Sequence, residues 1–375
     1  MASAAADRID TAIRLGKPDR VPVVPLIDVF AARYGGITQH EMFFNMRKSD
    51  MALEKTIRDL GPIDGQSLSY GGMGAILRII FLVPPLIPGV DGVPEDALWQ
   101  FNEKPVMQTE DYEKIREMGV IRWLLMKERA AHPERSFLAQ TLPVPPAGLK
   151  ILASILKWRR KGVEQMVGFN LAFTPLEFAS MALRSFTELT LDMYRRPEDV
   201  KDLSRALMKP FKVMALTFPQ VSRIKRVFMG GARTSAACIN PKQFETFALP
   251  EWQEMSEFLV KHGLTPLLHM DSDWNDFLPY FKELPARKCI LNLDGTTDIF
   301  KAKELLGDHM CLMGDVPATL LKLGSPEEVD AYCERLIKEV GAGGGFILSS
   351  GCSVPIDARP ENVKAMLQSV QHHRP

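Results

Sequence analysis

Hydrophobic and polar positions follow two different periods along the chain. Short apolar or β-branched runs, typical of buried strands, alternate with longer stretches in which apolar residues recur at helical spacing. The strand-like runs are 66–70, 166–173, 226–230, 266–270, 289–293, 311–313 and 346–349. The helical stretches include 175–194, 199–217, 241–262 and 298–306. Strands and helices that alternate in this way predict a parallel α/β fold.

The ends of the late strand-like runs decide between a barrel and an open sheet. Each run leads into a polar or reactive side chain, and these are Arg233, Asp271, Asp294, Asp315 and Cys352. In a parallel barrel all such strand ends meet at one mouth. An early Gly-x-Gly-x-x-Gly after a strand would favour a dinucleotide fold, and the sequence has none. With a helix expected at 5–15 and a strand at 21–25, we predict a (β/α)₈ TIM barrel with an N-terminal helical extension.

Three segments do not fit the regular alternation. Residues 133–165 contain Pro-Val-Pro-Pro and predict an insertion over the barrel mouth, and residues 101–106 resemble a short hairpin arm. The apolar window 76–90 carries Arg78 and several prolines, and it falls short of the roughly 20 apolar residues of a membrane span. It is interpreted as a lid or as an interface segment, and in the second case a homodimer is expected. None of these segments requires its own domain, so residues 1–375 are expected to form a single domain.

Composition excludes some classes of function. Lys plus Arg and Asp plus Glu are equal at 46 each, so the chain lacks the basic excess of most nucleic-acid-binding proteins. The basic cluster at 157–161 is typical of a solvated helix end. The five cysteines are widely spaced, without Cys-x-x-Cys, and the first twenty residues have no apolar signal core. A cytoplasmic protein without disulfides is expected.

A candidate zinc site lies in two segments about eighty residues apart. His269 and Asp271 end one buried strand, and Cys352 follows another. Imidazole, carboxylate and thiolate are the common ligands of zinc in proteins. Asp273 is an alternative to Asp271, because the loop can present either carboxylate. On sequence alone, without any family resemblance, a buried core residue is the favoured interpretation of both His269 and Cys352.

Three further residues are candidates for catalysis. Asp294 and Asp315 close neighbouring strands, where they would contact a ligand or, alternatively, cap the following helix. Arg233 would bind an anionic substrate group, or form an ion pair with a carboxylate at the mouth.

Several motifs resemble the uroporphyrinogen decarboxylase superfamily, and the likeness covers nearly the whole chain. They are Gly-Lys-Pro-Asp-Arg-Val-Pro at 16–22, Arg-Pro-Glu at 196–198, Asn-Pro-Lys-Gln-Phe-Glu at 240–245, Gly-Asp-Val-Pro at 314–317 and Pro-Glu-Asn-Val at 360–363. The decarboxylase binds its many-carboxylate tetrapyrrole with an arginine-rich N-terminal motif. The corresponding stretch, 25–30, has no arginine before Arg33.

The chain looks closer to the cobamide-dependent branch of that superfamily, which contains the methylcobamide:coenzyme M methyltransferases. That branch carries His-x-Cys in a late strand and Gly-Cys near the C-terminus as zinc ligands. His269 and Cys352 match, whereas Asp271 stands where the branch has its first cysteine. The resemblance implies a zinc ligand set of His269, Asp271 and Cys352. A carboxylate in place of a thiolate leaves zinc a stronger Lewis acid, so a substrate other than a thiol is expected.

The function implied by the resemblance is a zinc-dependent methyltransferase. It would move a methyl group, in either direction, between a small substrate and a cobamide carried by a separate corrinoid protein, because the chain lacks an Asp-x-His-x-x-Gly cobamide-binding motif. The alternative is a decarboxylase acting on a smaller acid, with Arg233 holding a carboxylate. A non-catalytic assembly subunit that has kept the barrel is the third reading.

Overall fold

The architecture is a parallel sheet system surrounded by helices. A computed structural model of the chain describes residues 4–67, 69, 71–74, 76–77, 85–90, 92–101, 104–131, 144–168 and 170–375. Its strands are β1 (Gly65–Gln66), β2 (Glu164–Gln165), β3 (Leu171–Ala172), β4 (Arg226–Gly231), β5 (Thr265–Met270), β6 (Ile290–Leu293), β7 (Cys311–Val316) and β8 (Phe346–Ser350). The ladders of the described residues form a two-stranded sheet, β1-β2, and a six-stranded sheet, β3-β4-β5-β6-β7-β8, with every pair parallel.

The segment 22–26 joins the two sheets. On one side the Val24 N–H donates to the Leu348 carbonyl of β8 at 2.8 Å. On the other side the Asp64 N–H, next to β1, donates to the Val23 carbonyl at 2.9 Å. On the far side, β2 pairs with β1 and β3 pairs with β4, and β2 and β3 are consecutive in the chain. The parallel segments therefore follow the order of the strands in a TIM barrel. The predicted fold class is confirmed.

Helices occupy the connections between these strands. Their bounds are Ala4–Ile13, Asp28–Gly35, Gln39–Phe44, Met46–Leu60, Asp111–Met118, Val120–Ala131, Val144–Arg160, Pro175–Ala182, Phe186–Arg195, Pro197–Ser222, Pro241–Gln243, Leu249–Lys261, Ile299–Leu306, Ala318–Leu323, Pro326–Arg335 and Pro360–His372. A 3₁₀ helix covers Asn275–Glu283, and π-helical turns cover Phe244–Ala248 and Leu336–Val340.

The strand predicted over 166–173 is split into β2 and β3. Gly168, with φ +54°, turns the backbone between them. The side-chain amide of Asn170 then donates to the carbonyls of Ile224 and Arg226, at 2.8 and 2.9 Å. These bonds replace a regular ladder at this point, so the apolar run is less regular than its sequence suggests.

Two predicted helices are also interrupted. The stretch 175–194 breaks at Ser185, which has φ +70°, while the Leu183 carbonyl accepts the N–H groups of Val106 and Met107. The stretch 241–262 contains the π-helical turn Phe244–Ala248. Pro250 has no N–H to donate to the carbonyl four residues earlier, so the helix widens before it.

The barrel interior is filled by one apolar layer below the mouth. Its buried members come from successive strands and include Val24, Leu26, Met166, Leu267, Ile290, Met313 and Ile347. His269 and Asn292 stand two residues beyond Leu267 and Ile290 on β5 and β6, so they face the same side of their strands. The layer closes the barrel below them, and both buried polar groups lie on its C-terminal side.

The irregular segments lie partly outside the described residues. This holds for 78–84 of the apolar window, 102–103 of the hairpin arm and 133–143 of the insertion. Ile76, Leu77 and Ile87, which are described, are buried core residues. Within the described ranges, no helix combines the length and the apolar character that crossing a bilayer requires.

Candidate metal centre

The C-terminal ends of β5 and β8 bring the predicted zinc ligands together. One potential ligand atom each from His269, Asp271 and Cys352 lies within 4.8 Å of the other two. The His269 Nε2 is 3.3 Å from an Asp271 carboxylate oxygen and 3.6 Å from the Cys352 Sγ. His269 is buried, whereas 42% of the Asp271 side chain is exposed. The three side chains therefore form the wall of a site that is open on the Asp271 side.

Asn292 fixes the orientation of the His269 ring. It lies opposite His269 in the β5–β6 ladder, and its Oδ1 is 2.5 Å from the His269 Nδ1. The amide nitrogen of Asn292 donates to the Met313 carbonyl at 3.2 Å, which leaves Oδ1 as the acceptor. Nδ1 must then carry a hydrogen. The lone pair of a neutral His269 is thereby assigned to Nε2, toward Asp271 and Cys352.

The imidazole of His269 and the carboxylate of Asp271 favour each other's charged forms. Burial opposes a charge on the imidazole, yet the neighbouring Asp271 carboxylate raises the pKa of His269 well above its usual value. Burial likewise opposes ionisation of Asp271, and His269 nevertheless lowers the pKa of that carboxyl. The ring of Phe228 packs on His269 with the ring centres 5.2 Å apart.

Asp273, the alternative ligand, turns away from this group. Its Oδ1 accepts the backbone N–H of Asn275 at 2.8 Å and the side-chain amide of Asn275 at 2.7 Å. These bonds form an Asx turn immediately before the 3₁₀ helix Asn275–Glu283. Of the two carboxylates, Asp271 is the one beside His269.

Asp294 contacts the backbone of the neighbouring loop. One carboxylate oxygen accepts the Ser272 N–H at 2.8 Å, and the other accepts the Thr296 N–H at 2.8 Å. Asp294 is half-buried directly after β6. It therefore braces the loop that follows Asp271. Its predicted catalytic role stays a prediction.

Asp315 lies against the helix Pro326–Arg335 that covers β7. It is buried, and its Oδ1 accepts the hydroxyl of Tyr332 at 2.8 Å. Burial raises the pKa of Asp315 to about 7, although the Tyr332 hydrogen bond opposes this rise. This hydrogen bond joins Asp315 to the surrounding helix, and its catalytic role also stays a prediction.

Arg233 is held by the loop that follows β4. Its Nη1 donates to the Ser180 carbonyl at 2.8 Å, and its backbone N–H donates to Glu177 at 3.2 Å. The buried carboxylate of Glu177 also accepts the N–H groups of Ala232 and Thr234, at 2.9 Å each. Glu177 thus shapes the loop that carries Arg233.

Asn292 and Glu177 were missed by the sequence analysis. Asn292 has a sequence signal, because it is the one polar residue in β6, at an inward-facing position. Glu177 has none, since a glutamate in the first turn of a helix is common for helix-capping reasons.

The donor set fits zinc. An imidazole nitrogen, a carboxylate oxygen and a cysteine sulfur are all zinc ligands, and sites with three protein ligands leave a coordination position for a substrate. The bond from Asn292 to the far nitrogen of His269 is the second contact that zinc-binding histidines commonly have. Sulfur and nitrogen ligands disfavour magnesium and calcium, which prefer oxygen.

Comparison with protein families identifies the relatives of this barrel. A family model described as uroporphyrinogen decarboxylase (URO-D) matches residues 138–373, which is more than half of the chain. The chain belongs to the URO-D family. The predicted superfamily is confirmed, and the match spans the strands that carry His269, Asp271 and Cys352.

The curated relatives of this URO-D chain match only part of it. The uroporphyrinogen decarboxylase of Chlorobium phaeovibrioides is 29% identical over 141 residues, which is 36% of this chain and 39% of that protein. The uroporphyrinogen decarboxylase of Coxiella burnetii is 32% identical over 143 residues, or 37% of this chain and 38% of that protein. The chain thus matches about two fifths of the length of these relatives.

A solved structure matches the URO-D chain over its whole length. The methyltransferase from Methanosarcina mazei superposes with a TM-score of 0.70 and covers 99% of each chain at 16% sequence identity. At that identity the likeness establishes the fold.

Proposed function

We propose that this protein is a zinc-dependent methyltransferase that moves a methyl group between a small substrate and a corrinoid protein. The observation that carries the proposal is the group His269, Asp271 and Cys352, whose ligand atoms lie within 4.8 Å of one another. A zinc ion held there would supply a Lewis acid that coordinates the heteroatom giving or receiving the methyl group.

The side chains around that group have distinct tasks in the proposal. Asn292 keeps the Nε2 lone pair of His269 directed into the site. Asp271 is the exposed member, so the substrate enters on its side. Phe228, packed on the imidazole, is an apolar wall that limits water around His269.

The likeness to the Methanosarcina mazei methyltransferase supports this assignment at the level of the fold. Asp271 distinguishes the present ligand set from the His-x-Cys form of the resembling branch. Because a carboxylate donates less charge to zinc than a thiolate, we infer a substrate whose reacting heteroatom is an ether oxygen or an amine nitrogen. The cobamide would reach the mouth on a separate corrinoid protein.

The test is the metal content of purified protein after expression in zinc-supplemented medium. Wild type is expected to hold one zinc per chain. His269→Ala and Cys352→Ser are expected to lose most of it, since an alcohol is a far poorer ligand than a thiolate. Asp271→Ala is expected to lose zinc, and Asp273→Ala, the matched control, is expected to keep it.

Two results would contradict the assignment. A wild-type protein without zinc would remove the metal centre. Retention of zinc in Asp271→Ala together with its loss in Asp273→Ala would move the carboxylate ligand to Asp273.

The second candidate function is decarboxylation of a small carboxylic acid, which the names of the curated relatives favour. In this reading Arg233 would hold a substrate carboxylate. The two functions are separated by one pair of assays with candidate methyl donors and acids. Methyl transfer that requires an added corrinoid protein supports the first, and release of carbon dioxide without it supports the second.

A further inference from the structure

Two loops carry two of the three proposed zinc ligands, and both end beside the same residue. Asp271 begins the loop after β5, and Cys352 belongs to the loop after β8. Asp294, directly after β6, lies between these loops. Its side chain contacts the first loop and its main chain contacts the second.

The first contact fixes the turn that follows Asp271. Ser272 has φ +78°, a conformation that a non-glycine residue adopts only where its surroundings impose it. The Asp294 carboxylate accepts the Ser272 N–H at 2.8 Å, and the Thr297 hydroxyl donates to the Ser272 carbonyl at 3.0 Å. Residues of the segment after β6 thus hold the peptide groups on both sides of Ser272, and they fix the direction in which Asp271 leaves its strand.

The second contact is a close approach of backbone to backbone. A Cβ atom added to Gly351 would lie 2.2 Å from the Asp294 carbonyl oxygen and 2.9 Å from its Cα. Only glycine fits at this distance, because no side chain can be placed against rigid backbone. The Gly351 N–H also donates to the Val316 carbonyl at 2.9 Å. The residue just before Cys352 is thereby seated against Asp294.

We propose that Asp294 is a positioning residue for the metal centre, which sets the places of Asp271 and Cys352 at the same time. The inference rests on the proposed zinc site. It gives Asp294 a role through its neighbours instead of direct contact with substrate. Its carboxylate must accept two N–H groups on different oxygens, Ser272 on one and Thr296 on the other.

Zinc affinity, measured by competition with a chromophoric chelator, tests the role of the side chain. Asp294→Ala is expected to weaken zinc binding by about 10–100-fold, the usual effect of losing a residue that supports a metal ligand. Asp294→Asn keeps one acceptor oxygen and turns an amide toward the other N–H. Its zinc affinity is therefore expected to lie between that of wild type and that of Asp294→Ala. Asp298→Asn is the matched control, because Asp298 only caps the helix Ile299–Leu306 and the change removes the same charge. It is expected to bind zinc as wild type does.

Gly351→Ala tests the main-chain contact separately. The added methyl group is expected to push the two loops apart and weaken zinc binding. Gly148→Ala is its control, since a Cβ there meets no atom within 4 Å. The absorption spectrum of the cobalt(II)-substituted proteins supplies a second readout. If Cys352 is displaced, the thiolate-to-cobalt charge-transfer band is expected to weaken. A general loss of stability would leave this band unchanged in the molecules that remain folded.

The outcomes separate this inference from the proposed function. One outcome is that wild type binds zinc while Asp294→Ala and Gly351→Ala both show wild-type affinity and spectrum. In that case the positioning role of Asp294 is wrong, and the proposed zinc site is not contradicted. If wild type binds no zinc, the proposed function and the positioning role fall together. If Asp294→Ala does not fold, Asp294→Asn and Gly351→Ala decide the question by the same measurements.

Discussion

Asn292 is the residue on which the geometry of His269 depends. It accepts from the imidazole on one side and donates to the Met313 carbonyl on the other, so neither residue can turn its ring or amide without breaking a buried hydrogen bond. A buried donor left without a partner costs about 1–3 kcal/mol. The orientation of His269 is therefore set before any ligand binds.

Asn292→Leu is expected to lower zinc affinity by about 10–100-fold, since Nδ1 loses its acceptor and the ring can turn. Asn292→Asp keeps an oxygen beside His269 and is expected to retain more of the affinity. Chelator competition measures both. A leucine variant that binds zinc as tightly as wild type would show that the ring needs no such support.

At the scale of single residues, the sequence could predict the ligand types but not the choice between neighbours. His269 and Cys352 follow buried strands, which is visible in the sequence. The choice between Asp271 and Asp273 depends on the turn at Ser272, and that turn is held by Asp294 and Thr297, which follow another strand. The partnership of His269 with Asn292 depends on strand register, which no local pattern contains.

Among the elements, the strands were predicted better than the helices. The late runs gave β4 to β8 within a few residues, because buried parallel strands are continuous apolar segments with polar ends. The break at Ser185 was missed although the sequence carries a signal for it, because Ser-x-x-Glu is typical of a helix start and the Ser185 hydroxyl accepts the Glu188 N–H. Hydrophobic spacing continues through such a break and so indicates one long helix.

The contact between Asp315 of β7 and the helix Pro326–Arg335 predicts that the stability of the protein depends on pH. Burial raises the pKa of Asp315 to about 7 in the folded protein, against an ordinary value near 4. Between these values the folded state binds a proton that the unfolded state does not, so the stabilisation is complete at low pH and is lost as the pH rises toward about 7.

Asp315→Asn should remove this dependence. The free energy of unfolding of wild type is expected to fall relative to the variant by on the order of 4 kcal/mol between about pH 4 and pH 7, and urea unfolding at several pH values measures it. Asp308→Asn, at an exposed carboxylate, is the control. Parallel pH profiles for wild type and Asp315→Asn would contradict a raised pKa.

Across the whole molecule, one buried carboxylate joins the parts that close the barrel. Asp64 accepts the guanidinium groups of Arg8 and Arg20, and also the Val23 N–H at 2.9 Å. It precedes β1, at the end of the strands opposite to His269. The N-terminal helix, the segment 22–26 and β1 are thus tied together by one side chain.

Asp64→Ala is expected to lower the free energy of unfolding by about 3–5 kcal/mol, because it leaves partly buried arginines without this partner. Zinc affinity of the folded protein is expected to stay unchanged, since Asp64 lies far from the mouth. Asp19→Ala removes only the exposed partner of Arg8 and should cost about 0–1 kcal/mol. Urea unfolding and chelator competition on the same samples test both statements, and a loss of zinc affinity in Asp64→Ala would refute the separation of the two ends.

The contact between the segment 22–26 and β8 also determines when this part of the fold can form during synthesis. The Val24 N–H donates to the carbonyl of Leu348 in β8. The segment 22–26 therefore cannot form this contact until β8 has left the ribosome. Cys352 emerges a few residues after Leu348. A nascent chain that is still short of this point already contains His269 and Asp271 but lacks both the contact of Val24 with β8 and the thiol of Cys352. The ability to retain metal at the proposed site therefore arises only after Cys352 has been translated.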